Sequence, residues 1–274
     1  LKKLFLFLLF IFLSIQAYAI EHQGYGYYDS SIDTRHFVST NSFKSNVPLR
    51  YSGLKLWLDS SDISTIVQET GVRTWKDKSG NGNHFHQTDT SKQPEYIING
   101  QNGLNTIDFN GSGDFLQGPN SLFNYAPGTD EISIFVVYEA DALTGYFLSK
   151  AGANSANRTG IFINANVHNV IIGGSSESPG DVLSTDTIYL VNANIGSSSA
   201  RIYENNVDKG ALSVGSNTNV LDWRIGARSN ADVEDNSAAF LFNGEICEII
   251  VYDKKMNNLE REVISNYLID NWMK

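Results

Sequence analysis

From Tyr51 to Tyr252 the apolar residues fall in short runs, separated by stretches rich in Gly, Asn, Asp and Ser. Leu54, Leu56 and Leu58 alternate with Lys55, Trp57 and Asp59, the two-residue period of a strand with one buried face. Thr106 to Phe109 is short and β-rich, and Ile132 to Tyr138 is apolar on both faces, as a strand inside a sandwich is. Ile161 to Ile163, Val170 to Ile172, Ile188 to Ala193, Arg201 to Glu204, Trp223 to Ile225 and Glu245 to Tyr252 complete the series. Asn205-Asn206 is a hairpin-type turn signal. Many short strands at turn-length spacing predict an all-β fold, an antiparallel two-sheet jelly-roll sandwich. The period then changes. Asn257 and Asn258 can cap a helix, and Glu260 falls three residues after Asn257, as a capping box requires. Leu259, Val263, Tyr267 and Leu268 share one face, with Trp272 beyond. This predicts a short C-terminal amphipathic helix docked on the sandwich.

The start of the chain reads differently. Lys2 and Lys3 precede an apolar run, Leu4 to Ile15, broken only by Ser14, and Ala17-Tyr18-Ala19 is a small-x-small cleavage site. Residues 1–19 are therefore expected to be a signal peptide. The run is shorter than the roughly 18 residues of a membrane span, so no span is expected after cleavage. Residues 20–48 are polar and tyrosine-rich without a period, an arm or linker, and residues 49–274 form the jelly-roll domain. The expected location is exported: periplasm, cell surface or extracellular medium. Twenty basic residues against 30 acidic ones give a net charge of −10, and no basic patch offsets it. Such a surface repels nucleic acid and anionic lipid, so no nucleic-acid partner is expected. Cys247 is the one cysteine, which excludes an internal disulfide and fits a small buried residue in a strand.

One string stands apart: Trp75-Lys76-Asp77-Lys78-Ser79-Gly80-Asn81-Gly82-Asn83. It is too rich in Gly and Asn for a helix or strand. Its short polar side chains can bond their own backbone, and Gly80 and Gly82 can take positive φ. It reads as a self-bonded loop pinned by Trp75.

Gly53-Leu54-Lys55-Leu56-Trp57-Leu58-Asp59 resembles the first strand of the laminin-G-like, concanavalin A-like jelly-roll domains of bacterial secreted proteins. The loop from Trp75 to Asn83 is similar to their W-x-D-x-S-G-N-G-N element. Gln93 to Tyr96, Gly103-Leu104, Phe109 to Leu116, Trp223 to Gly226 and Phe242 to Tyr252 resemble later segments in the same order, over roughly residues 49 to 274. The resemblance implies two curved sheets packed face to face. Relatives include carbohydrate-binding modules, lectins, adhesion domains and glycanases, so fold alone leaves function open.

The glycanases of that superfamily carry E-x-D-x-E or E-x-D-x-x-E on one strand. Here Glu139-Ala140-Asp141 is the nearest match, and Leu143 and Thr144 stand where the third carboxylate belongs. Glu245 and Glu248, three apart on a strand, are expected to face opposite ways, and Asp232, Glu234 and Asp235 read as solvated charge in a loop. His84 and His86 would share a strand face, but no third ligand is placed by spacing. With Asp77 as position 1, Ser79, Asn81, Gly82 and Asn83 occupy positions 3, 5, 6 and 7 of a calcium loop, but position 12 is Thr88 and no helix flanks it. An EF-hand is excluded. An oxygen-lined calcium site at Asp77 and Asn81 stands beside the favoured reading, in which these side chains cap backbone amides. The resemblance adds a second calcium pairing, Asp59 with Asp253. Trp57, Trp75, Trp223 and Trp272 belong to fold motifs and are expected in the core. Tyr125, Tyr146 and Tyr203, near turns, are freer to face solvent and stack on a sugar. The expectation is a non-catalytic, exported binding module for a glycan or cell-surface partner. It needs no cofactor, with calcium open. A secreted glycan hydrolase or lyase and a purely structural or adhesive surface protein are the alternatives.

Overall fold

The computed structural model describes residues 46–122, 126, 129–151, 154, 158–197, 199–215, 221–229 and 238–274. The expected signal peptide, most of the expected arm, Tyr125 and the acids Asp232, Glu234 and Asp235 lie outside the described residues. Phe43–Lys274 forms one compact unit.

The strands are, in chain order, β1 (Leu54–Asp59), β2 (Ile66–Gln68), β3 (Val72–Trp75), β4 (Phe85–His86), β5 (Glu95–Ile97), β6 (Thr106–Asn110), β7 (Leu116–Gln117), β8 (Ile132–Ala140), β9 (Gly145–Lys150) and β10 (Thr159–Asn164). There follow β11 (Val167–Ile172), β12 (Ser175–Glu177), β13 (Ile188–Ile195), β14 (Ala200–Glu204), β15 (Val207–Leu212), β16 (Arg224–Ile225), β17 (Arg228–Ser229), β18 (Ala238–Ala239) and β19 (Asn243–Tyr252). A helix, α1 (Asn258–Trp272), closes the chain. Sheet A runs β15-β14-β13-β8-β19-β6-β5, and sheet B runs β12-β11-β10-β9-β16-β7-β4-β3-β2. The pairings are antiparallel, and β17 and β18 form a separate small ribbon. The fold is thus the all-β antiparallel sandwich that the alternation predicts.

β19 organises sheet A. It pairs with β8 from Gly244 to Tyr252, and its other edge takes β6 at the start and β1 at the end. Alternation sends Ile246, Ile249 and Val251 into the layer between the sheets, where they meet Trp75, Phe85, Phe147, Ile161 and Trp223 from the sheet B side. The opposite face of sheet A packs Trp57, Phe135, Val137, Cys247, Ile250 and Tyr252 under Ile264, Tyr267, Leu268 and Trp272 of α1. All four tryptophans are buried.

The helix starts where the capping box predicts. Asn257 accepts from the Glu260 N–H at 3.0 Å, and Glu260 accepts from the Asn257 N–H at 3.1 Å. Its buried face differs from the expected one. Arg261, Ile264, Ser265, Tyr267, Leu268 and Trp272 face inward, and Leu259 is 67% exposed.

Candidate functional site

The Trp75–Asn83 loop is held by its own polar groups. Asp77 Oδ1 accepts the N–H groups of Trp57 (3.0 Å) and Ser79 (2.8 Å), and Oδ2 accepts Ser79 Oγ–H (2.7 Å) and the Asn83 N–H (3.0 Å). Asn81 Nδ2 and Asn83 Nδ2 each donate at 2.8 Å to β1 carbonyls, of Leu54 and Lys55. Gly80 and Gly82 sit at φ 88° and 74° with no atom near the position of an added Cβ. They serve the turn and leave the neighbourhood open. A cation on Asp77 would have to displace four donors. His84 Nδ1 accepts the Asp77 N–H at 3.0 Å, so this imidazole also caps the loop. Asp59 and Asp253 are not brought together. Asp59 pairs across from Glu248 and Asp253 follows Tyr252, the partner of Leu54, so the length of β1 separates them. Asp59 instead holds Lys78 at 2.8 Å, and Asp253 holds Lys55 at 2.9 Å.

Glu248 is buried among donors. Trp57 Nε1 (2.7 Å) and Tyr267 Oη (2.9 Å) donate to Oε1, and Trp272 Nε1 (2.7 Å) donates to Oε2. Burial, then the nearby Asp59 charge, pushes its carboxyl above the ordinary range. The sequence predicts Glu245 and Glu248 on opposite faces. A register shift between Ile246 and Glu248 corrects this, because the bulged Cys247 returns Glu248 to the outer face of sheet A.

A second buried polar chain crosses the core. Tyr138 Oη lies 2.6 Å from His168 Nε2, and His168 Nδ1 bonds Glu204. Glu204 also accepts the Asp181 N–H at 3.1 Å. With the phenol donating to Nε2, the network assigns the imidazole proton to Nδ1. The order copies a nucleophile, a base and an orienting acid, yet all three residues are buried and no substrate can reach them.

Among the described residues, acids gather on the outer face of sheet A. Glu95 pairs across from Asp108, Asp108 from Glu245, and Glu245 from Glu139, one carboxylate on each of four neighbouring strands at one register. Gly244 permits this. It sits at φ 136°, and a Cβ there would lie 2.3 Å from the Glu139 carbonyl oxygen. Beyond Glu139, Asp141 and Asp186 each offer an oxygen, and the oxygens of these three carboxylates lie within 4.8 Å of one another. Asp186 (φ 53°) is fixed there by its N–H, which donates to the Ala140 carbonyl at 3.1 Å. Burial and then Asp141, Glu245 and Asp186 push Glu139 up to about 7. Burial and then Asp141, Glu245, Glu95 and Asp114 push Asp108 up to about 6. The acid that the local sequence lacks after Glu139-Ala140-Asp141 therefore arrives from the loop before β13. No spacing within one strand could have revealed it.

The expected tyrosine platforms are corrected. Tyr146 and Tyr203 are buried, Tyr146 stacked on Phe162 (centroids 4.4 Å apart) and Tyr203 under the Arg261 guanidinium at 3.9 Å. Among the described residues the large apolar ring that stands exposed is Phe240, 49% exposed at φ 51°, edge-on to Tyr146 with the Arg228 guanidinium 4.9 Å from its centre.

No family model matches the chain, and no curated protein matches it by sequence. Solved structures do match. Domain 4 of AbnA, an extracellular arabinanase from Geobacillus stearothermophilus in complex with arabinotriose, is 12% identical with a TM-score of 0.52, over 78% of this chain and 97% of that one. The binding domain of Paraclostridial Mosquitocidal Protein 1 is 12% identical with a TM-score of 0.57, over 80% of this chain and 53% of that one. Trypanosoma rangeli sialidase in complex with sialic acid is 13% identical with a TM-score of 0.52, over 81% of this chain and 34% of that one. The chain thus spans nearly all of the first, about half of the second and a third of the last. At such identities the likeness fixes the sandwich fold.

Proposed function

We propose that this chain is an exported, laminin-G-like module that binds a glycan without cleaving it. The observation that carries the reading is Phe240. A bulky side chain in the left-handed region costs on the order of 1–3 kcal/mol, and such strain gathers at functional sites. Here it holds an aromatic ring half in water, with the guanidinium of Arg228 against it. A ring half in water offers its face to sugar C–H groups. Support also comes from a neighbour of nearly the same extent, which was solved with arabinotriose bound. The test is a glycan array that includes arabino-oligosaccharides and sialosides, followed by calorimetry on the hits. Phe240→Ala is expected to weaken binding roughly tenfold or more, about the loss of one stacking contact. Retention on cells with silence on every glycan would favour a protein-binding adhesin and end the glycan reading.

A second reading, glycan hydrolysis, is favoured by the Glu139, Asp141 and Asp186 cluster. A carboxyl raised to about 7 with two further carboxyl groups beside it supplies a general acid of the kind glycosidases use. Release of reducing sugar from any polysaccharide, lost in Glu139→Gln, would replace binding by catalysis.

A further inference from the structure

We propose that the carboxylates of Glu139, Asp141 and Asp186 form a calcium site on the outer face of sheet A, a role separate from glycan binding at Phe240. The three groups converge from the end of strand β8, the residue just beyond it and the loop before β13. Glu139 is only 9% exposed, and its Oε1 is buried with no hydrogen-bond donor. A buried acceptor with lone pairs unsatisfied is rare in a folded protein, and a cation is the natural partner for one amid other anions.

The surroundings agree. Asp108 and Glu245 continue the negative charge along the same register, and among the described residues no ion pair reaches Glu95, Asp108, Glu139, Asp141, Asp186 or Glu245. This contrasts with Asp59, Asp62, Asp253 and Glu260, each matched by a lysine. Like charges directly opposite one another in a sheet repel. A divalent cation reverses the sign of that interaction and ties the loop before β13 to the end of β8.

The donor set selects the ion. Three carboxylates, with no imidazole or thiolate among them, suit a hard cation rather than zinc. Oxygens on opposite sides of calcium lie about 4.6–5.2 Å apart, against about 4.0–4.2 Å for magnesium, from their usual bond lengths. The three oxygens lie within 4.8 Å of one another, close enough to share one ion, and calcium takes several protein carboxylates where magnesium keeps most of its waters. Asp77 is a poorer choice because its oxygens already accept four hydrogen bonds.

The test is calorimetric titration of chelator-stripped protein with calcium chloride, with thermal unfolding in chelator and in 10 mM calcium. One site is expected, with Kd of about 10⁻⁴ to 10⁻³ M, the range of extracellular calcium modules. Calcium should raise Tm by about 5 °C. Asp186→Asn and Asp141→Asn, both at exposed positions that leave the fold intact, should each weaken binding about tenfold or more, whereas Asp270→Asn on α1 should bind as the parent does. No uptake of calcium up to 10 mM would overturn the proposal. So would uptake that survives both Asp141→Asn and Asp186→Asn, because the ion would then sit elsewhere. Magnesium binding as tightly as calcium would overturn the choice of ion.

Discussion

Glu248 shows how one side chain can hold two elements together. Three donors, from β1 and from two turns of α1, converge on one carboxylate 1% exposed to solvent. An amide in its place would turn a donor toward an indole N–H and leave buried groups unsatisfied. Glu248→Gln is therefore expected to cost about 3 kcal/mol, read from urea unfolding, with the emission of Trp57 and Trp272 altered in the folded state. An unchanged midpoint would mean that helix docking rests on apolar contact alone. Asp77 was legible at this scale from the sequence, because a short carboxylate amid Gly, Ser and Asn can bond only backbone within reach. Glu248 was not. An acid three residues from Glu245 reads as solvated on the far face, and only the bulge at Cys247 places it under the helix.

At the scale of elements, the long strands were plain. β8 and β19 are apolar through most of their length and lie at the centre of sheet A, so pattern and burial agree. The two- and three-residue strands β2, β4, β5, β7, β12, β17 and β18 were largely illegible, since a period needs more positions than they have, whereas β16 falls inside the expected run from Trp223 to Ile225. The turns divide in the same way. Asn205-Asn206 takes positive φ at both residues, as its composition predicts, whereas Ala165-Asn166 does the same without a turn signal at Ala165. The helix start was readable because a cap is a local bond. Asn257→Ala should destabilise by about 1 kcal/mol, checked by denaturant midpoint. No change there would show that packing of Tyr267, Leu268 and Trp272 alone sets the helix start.

For the molecule as a whole, the row of acids on sheet A makes stability depend on pH. Glu139 and Asp108 carry folded pKa values of about 7 and 6, above their ordinary range. The folded state therefore binds more protons than the unfolded state between roughly pH 4 and 7. The associated stability is complete below the unfolded pKa values and is lost as pH rises through about 6 and 7. In chelator, Tm is expected to fall from pH 5 to pH 8, and Glu139→Gln should flatten that fall. Equal slopes for parent and variant would discard the account. The sequence alone determined the sandwich class, the Asp77 loop, the helix cap and the buried tryptophans, because each follows from alternation or from bonds between residues a few positions apart. The tertiary structure decided which carboxylates share a register, which aromatic ring meets water and where Glu248 points. Those outcomes depend on strand order, bulges and the pairing of segments a hundred residues apart, none of which leaves a period in the chain.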